Sequence, residues 1–457
     1  MKKLTSRHVR ITSLVFASLI LSSGCAIVAD DSSSSLPAPP VAKKVPKTTE
    51  INGHTMVDNY YWLREKKNPE VKAYLEAENS YTDALMKPTE GLQKKLYDEM
   101  LSRIKETDVE VPYKEGGYFY YLRTEAGKQY GIRCRKKGSM DAPEEIVLDV
   151  NELAKGQKFM SLGAYDVSDD GNLLAYTTDN TGFRQFTLAV KDLRTGKLLA
   201  DHAERVDSVA WANDNKTIFY TVEDEVSKRS YRFYRHNVGT TGSDTLVYEE
   251  KDERFDIGTG KTRSKAYLLL ISGSHTTSEA RYLPAGQPMA EWRVMEPRKQ
   301  DVEYYPDHNG NFFYIRVNDK GRNFRLVKAP VSDPGSKNWQ EVVPHRADVM
   351  LDDADFFKNF YISYEREKGL PQIRVTNLQS GESRRLEFPE PSYVNYSYIN
   401  REYDTAKFRY GYQSFITPQS VFEYDMANGA SALLKQKEVP GGYDRNRAEE
   451  VSRQKSA

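Results

Sequence analysis

The stretch Asp169-Asp170-Gly171-Asn172-Leu173-Leu174-Ala175-Tyr176 reads as a tight turn running into a strand. Asp and Gly are turn residues for local reasons, a side chain that bonds its own backbone and a backbone free to adopt positive φ. Aliphatic and aromatic residues after it suit a pleated, half-buried surface. The same phrase recurs on both sides as EGG–YFYYL from 115, NDNK–TIFYT from 213, TRSK–AYLLL from 262, HNG–NFFYI from 308, FKN–FYISY from 357 and YDT–AKFRY from 403. The spacing is roughly 44–55 residues, within or near the period of a four-stranded propeller blade. A further strand follows in several copies: FTLAVKDLRTGK, YRFYRHNVGT, FRLVKAPV, IRVTNLQSGES and SVFEYDMANG. A single such sheet has two apolar faces and needs neighbours, which radial closure supplies while protecting the edges. The expectation is an all-β fold, a seven-bladed β-propeller over 111–440, preceded by a short α-helical N-terminal extension. The competing reading is a β-sandwich with irregular hairpins, and seven phased landmarks argue against it.

Upstream of the repeats, 51–110 reads as the helical extension. Asn68 is a good N-cap ahead of Pro69 at a first helical turn. Val71, Tyr74 and Leu75 start one apolar stripe, and Leu92, Leu96, Met100 and Ile104 form a second at spacings of four. No later segment offers these faces a helical partner. Residues 1–24 read as a lipoprotein-type signal peptide, with Lys2, Lys3, Arg7 and Arg10 before an apolar run too short to span a bilayer. Leu21-Ser22-Ser23-Gly24-Cys25 resembles a bacterial lipobox, with Cys25 as the lipidation site and Ser22 departing from the usual Leu. The alternative is an ordinary cleaved signal, with the cut near Cys25 or Ala29. Residues 25–50 read as a flexible Ser/Pro tether. Together these segments predict an exported, membrane-anchored bacterial lipoprotein facing the periplasm, or a soluble periplasmic protein after cleavage.

The 457 residues carry 66 Lys+Arg against 66 Asp+Glu, which removes the electrostatic case for nucleic acid. With 31 Tyr and 18 Phe the chain is rich in core formers and is not of disordered composition. Two cysteines, Cys25 and Cys134, support neither a disulfide framework nor a cysteine-rich zinc site. Cys134 reads as a small half-buried strand residue rather than a nucleophile. The seven histidines stand singly, with no close His/carboxylate spacing for a metal. His308 and the acidic pairs Asp169-Asp170 and Asp352-Asp353 read as turn residues, and GTGK at 258–261 as a hairpin loop. GESRR (381–385) and GASAL (429–433) lack the last glycine of a nucleophile elbow. No catalytic, metal or cofactor residue is assigned.

The segment Asp58-Asn59-Tyr60-Tyr61-Trp62-Leu63-Arg64, with Asn68-Pro69-Glu70-Val71 and Tyr74-Leu75-Glu76-Ala77-Glu78-Asn79, resembles the start of the prolyl oligopeptidase family. Glu99-Met100 with Arg103 to Asp108, Gly116-Gly117-Tyr118 and the phrase YDVSDDGNLLAYTTD from 165 are most similar to its oligopeptidase B branch. The likeness runs from about 40 to about 444. It implies a helical extension, a seven-bladed propeller and a C-terminal α/β-hydrolase domain bearing a Ser-Asp-His triad. It also implies cleavage of short peptides after Lys or Arg, with the propeller admitting peptides and excluding folded proteins. A propeller unlatched between first and last blades is common in the family, and the sequence leaves closure open.

Residues 441–457 depart from the resemblance, and no triad position has a counterpart here. The expectation is therefore the propeller portion of an oligopeptidase B-like serine peptidase, inactive alone, with a frameshift or premature stop behind its tail. Expected partners are short basic peptides in the channel, the missing hydrolase domain and a membrane reached through the lipid anchor. The alternative is a stand-alone lipid-anchored propeller that binds peptides or a partner protein.

Overall fold

The computed structural model describes residues 37–444, Thr241 excepted. The chain divides into two compact units, 1–101 and 102–457. In the first, Lys47–Ile51 and His54–Asp58 form an antiparallel hairpin in which Lys47 faces Asp58 and Ile51 faces His54. Asn52 and Gly53 both take positive φ, 51° and 79°. That pair builds the turn whose twist matches two paired strands. The hairpin occupies the end of the segment read as tether and the start of the segment read as helical. The Asn-Gly signal between alternating residues outweighs the polar composition there.

A short 3₁₀ turn, Tyr61–Arg64, buries Trp62, whose indole N–H donates to the carbonyl of Lys43 at 3.0 Å. The helix α1, Pro69–Met86, starts as the sequence suggests, with the Asn68 side chain accepting from the Glu70 N–H at 3.0 Å. A 3₁₀ turn at Lys87–Thr89 joins it to α2, Glu90–Ser102. Leu92, Leu96 and Met100 on α2 are each about half exposed, an apolar stripe facing solvent.

The second unit is a seven-bladed propeller. Its blades occupy 108–149, 161–204, 206–249, 256–294, 304–343, 349–385 and 393–436; six are antiparallel meanders of four consecutive strands, and in blade 1 the short strands Asp108–Val109 and Tyr113–Glu115 both pair with Tyr118–Thr124. All seven sequence landmarks fall on the turn between the two inner strands of a blade. In blade 2 that turn needs Gly171 at φ +74°. Several second strands are among the most buried segments, such as Thr217–Glu223 in blade 3 and Phe312–Val317 in blade 5.

Blades adhere through apolar layers between neighbouring sheets. Leu148 of blade 1 meets Leu174 and Tyr176 of blade 2. Val190 of blade 2 meets Trp211 and Ile218 of blade 3, and Phe219 and Phe233 of blade 3 meet Leu268 and Leu270 of blade 4. The pattern continues with Tyr282 against Phe313, Leu326 against Leu351, and Ile362 against Phe408. Full burial of such side chains is worth about 1.5–3 kcal/mol each. Cys134 lies in the blade 1 strand Ile132–Lys137, as expected, and is buried more fully than the sequence suggested.

The junction between blades 7 and 1 is built differently. No strand of blade 1 pairs with a strand of blade 7, and among the described residues no apolar cluster bridges them. Polar links take their place. Lys435 Nζ reaches Asp108 Oδ2 at 2.5 Å and the Val109 carbonyl at 2.7 Å. Lys105 pairs with Glu438 at 2.6 Å and Lys114 with Glu402 at 2.9 Å, while Arg409 donates to the Pro112 carbonyl at 2.5 Å. Lys435→Met is expected to loosen this seam by about 1 kcal/mol, the worth of partly exposed charged hydrogen bonds. Amide exchange across 108–110 and 431–436 would then rise, and added salt would do the same to the wild type. Unchanged exchange in both segments would show that the seam rests elsewhere.

Candidate functional site

The first strands of the blades converge on the propeller axis, where they line a cavity of about 660 Å³. Blade 1 contributes Glu115, blade 2 Asp166 and Asp169, and blade 3 Asp207. Lys261, Arg263 and Lys265 come from blade 4, Asp307 from blade 5 and Arg401 from blade 7. Successive strand residues point to opposite faces, so a first strand that buries one side in the blade–blade layer turns the other to the channel.

Part of the wall is neutralised. Asp169 receives Lys261 at 2.7 Å and Lys265 at 2.8 Å, while Glu115 lies 3.6 Å from Lys265 and 3.9 Å from Arg401. Arg263 pairs with Asp355, donates to the Asn400 carbonyl and lies over the Phe357 ring at 4.6 Å. Asp355 also accepts from Tyr364 at 2.7 Å and Ser397 at 2.9 Å, which ties blade 7 to blade 6.

The rest of the wall is not neutralised. Among the described residues no ion pair reaches Asp166, Asp207 or Asp307. Asp307 accepts from the His308 backbone N–H at 2.7 Å, and Asp166 has a long contact of 3.4 Å from the Trp211 N–H. Burial pushes Asp307 up to about 7 and Asp166 up to about 6. A channel whose acids resist ionisation has the electrostatics to take up a proton or a cationic group.

Several residues singled out in the sequence take different places. Asp169 and Asp170 do sit in the expected turn, where Asp170 accepts from Ser168 at 2.6 Å, but Asp169 also serves the channel. Asp352 and Asp353 are not turn residues. They lie inside the strand Val349–Phe356, at a register break, and Asp352 pairs with Arg366 at 2.9 Å. GTGK is likewise part of the strand Asp256–Lys261, paired along its length with Leu268–Gly273, and not a hairpin loop. His308 is the penultimate residue of the strand Tyr304–Asn309, the turn beginning only at Gly310.

His308 is 6% exposed, and its Nδ1 lies 2.8 Å from Ser264 Oγ. A serine beside an imidazole resembles two parts of a nucleophilic site. Here the ring is wedged against Tyr267 and Phe313, burial lowers its pKa, and no carboxylate hydrogen-bonds it among the described residues. The pair joins blade 4 to blade 5. Burial pushes the Cys134 thiol up to about 11, which keeps it protonated and inert. No group of three His, Cys, Asp or Glu suited to a metal exists among the described residues. Cys25 lies outside the described residues.

The unneutralised channel acids were not singled out by sequence. Asp166 and Asp307 each precede a landmark turn by a few residues, but only closure of the ring shows that they share one space.

The second unit is thus a seven-bladed propeller with a charged axial channel. A family model for the N-terminal beta-propeller domain of prolyl oligopeptidase matches residues 39–437, and the chain belongs to that family. Dipeptidyl aminopeptidase BI of Pseudoxanthomonas mexicana is 38% identical over 453 residues, covering 95% of this chain and 62% of the relative. Protease 2 of Moraxella lacunata is 33% identical over 416 residues, covering 89% of this chain and 60% of that protein. Oligopeptidase B from Leishmania major superposes with a TM-score of 0.84 at 27% identity, over 90% of this chain and 62% of that one. The chain thus spans about three fifths of the length of these relatives.

Asp307→Asn tests the channel charge. A carboxyl whose folded value is raised destabilises the fold increasingly as pH climbs from the unfolded value near 4 to the folded value. The variant should therefore match the wild type near pH 4 and be the more stable of the two above pH of about 7. Urea denaturation at both pH values decides it, and a pH-independent difference would mean that Asp307 is not held in its neutral form.

Proposed function

We propose that this chain is the substrate-admitting propeller of an oligopeptidase B-like serine peptidase that cleaves short peptides after Lys or Arg. The observation that carries the reading is the axial channel, about 660 Å³, with Asp166, Asp207 and Asp307 left without an ion pair among the described residues. Such a bore suits an extended peptide and not a folded domain. Acids left outside any ion pair favour a cationic side chain, whose approach stabilises their ionised forms. Hydrolysis needs a nucleophile, a base and an oxyanion hole held together. On this reading a C-terminal α/β-hydrolase domain supplies all three and covers the apolar stripe Leu92, Leu96 and Met100. The chain by itself then hydrolyses nothing.

The test uses the purified chain, a fluorophosphonate probe and a short fluorescent Arg-containing peptide. Expected are no serine labelling, no hydrolysis, and peptide binding that weakens with salt. A labelled serine would overturn the division of labour, and binding indifferent to peptide charge would remove the cationic preference. Peptide binding by a monodisperse chain that ignores an added hydrolase domain would favour the stand-alone propeller.

The lipobox-like Leu21–Cys25 motif supports an exported protein anchored at Cys25 and facing the periplasm. Several acyl chains on one cysteine give stable anchoring. Cys25→Ser is expected to abolish palmitate incorporation and move the protein from the membrane to the soluble fraction. Unaltered fractionation would remove the anchor.

A further inference from the structure

His236 stands outside the channel, between blades 2 and 3, and is 7% exposed. It lies on the third strand of blade 3, Ser230–Asn237, opposite Ile218. Its Nδ1 is 2.7 Å from Asp244 Oδ1, in the loop that follows its own strand. Its Nε2 is 2.7 Å from Asp201 Oδ1, on the outermost strand of blade 2. A neutral imidazole has one N–H and one lone pair. It can donate to one carboxylate only, and its lone pair would then face the other at 2.7 Å. With both carboxylates ionised, both contacts are satisfied together only by the imidazolium.

Among the described residues the surroundings hold no substitute cation. Asp244 Oδ2 accepts from Tyr220 at 2.5 Å, and Tyr220 stacks on Tyr234. Asp201 Oδ1 also takes the Gly239 N–H at 2.6 Å, while its Oδ2 is buried without a hydrogen-bond partner. Among the described residues no Lys or Arg pairs with either carboxylate. Loss of the His236 proton would therefore leave the buried Asp201 carboxylate and the partly buried Asp244 carboxylate with no positive charge between them, which is unfavourable.

The strand that this contact holds has few other ties. Leu198–Glu204 is the edge of blade 2, paired on one side only, with a register break at Ala189/Lys191 in that pairing. Asp201 is the one buried residue along it. Leu199 and Ala203 are only partly buried against the blade 2–blade 3 layer.

We propose that protonated His236 is a pH-operated staple that holds the outer strand of blade 2 on blade 3 and releases it when the imidazolium deprotonates. Burial opposes the charge, but the two carboxylates outweigh it and raise the His236 pKa above its ordinary value. A raised folded value gives stabilisation that is complete below the unfolded value near 6.5 and is lost as pH rises through the folded one. The propeller then frays at Leu198–Glu204 on the alkaline side and not on the acid side.

The experiment is a pH titration of the full 457-residue chain with isotope-labelled histidine, followed by NMR, the His236 signal being identified by its absence in His236→Gln. Amide exchange of 198–204, corrected for base catalysis, is measured over the same range. Expected are a His236 midpoint above about 6.5 and an exchange rise of about tenfold for each unit of that elevation. In Asp201→Asn the rise should disappear. A midpoint at or below about 6.5, or exchange that stays flat across it, would overturn the proposal, and both are read on the wild type even if the variants fail to fold.

Discussion

Each of the seven sheets is too small to bury its own two faces, and the whole propeller follows from how those faces are covered. A strand pattern of aliphatic and aromatic residues makes every blade adhesive on both sides. Phe219 and Phe233 against Leu268 and Leu270, or Ile362 against Phe408, are the same solution repeated around an axis. Trp211, fully buried, shows how polar atoms are accommodated in such a layer, its indole N–H donating to the Asp166 carbonyl of the preceding blade at 3.0 Å. Because apolar contact is not directional, the layers tolerate varied side chains while the turns keep the phase.

Closing the ring creates two places where that adhesive is absent. One is the seam between blades 7 and 1, held by Lys435, Lys105, Lys114 and Arg409. Charged contacts at partial exposure are weak and salt-sensitive compared with an apolar layer, so the ring has one junction of a different physical kind. The other is the axis, where first strands meet edge to edge and only side chains can fill the space. Charges gather there, and the pairs around Asp169 and Arg263 hold the wall in shape, while Asp166 and Asp307 stay outside any ion pair among the described residues and burial resists their ionisation.

Much of this was legible in the residues. The landmark turns marked every blade, and Asn68-Pro69 marked the start of α1. The exposed stripe of α2 was visible in its four-residue spacing. The misread positions share one cause. Asp352-Asp353, GTGK and His308 have turn-like composition but belong to first strands, where GTGK borders the channel, Asp352-Asp353 sit at a register break and His308 packs between blades 4 and 5. The hairpin at 47–58 was hidden by its polar neighbours, although Asn52-Gly53 carried the signal.

Local sequence by itself determined the number of blades, the turns that mark them and the need for each sheet to find neighbours. Those properties depend on residues close together in the chain, through side-chain alternation and backbone preference. Tertiary structure alone decided which charges share the channel, that the final seam is polar, and that His236 lies between Asp201 and Asp244. Those encounters join residues from different blades. Their pairing is set by the curvature of the closed ring, which no single repeat encodes.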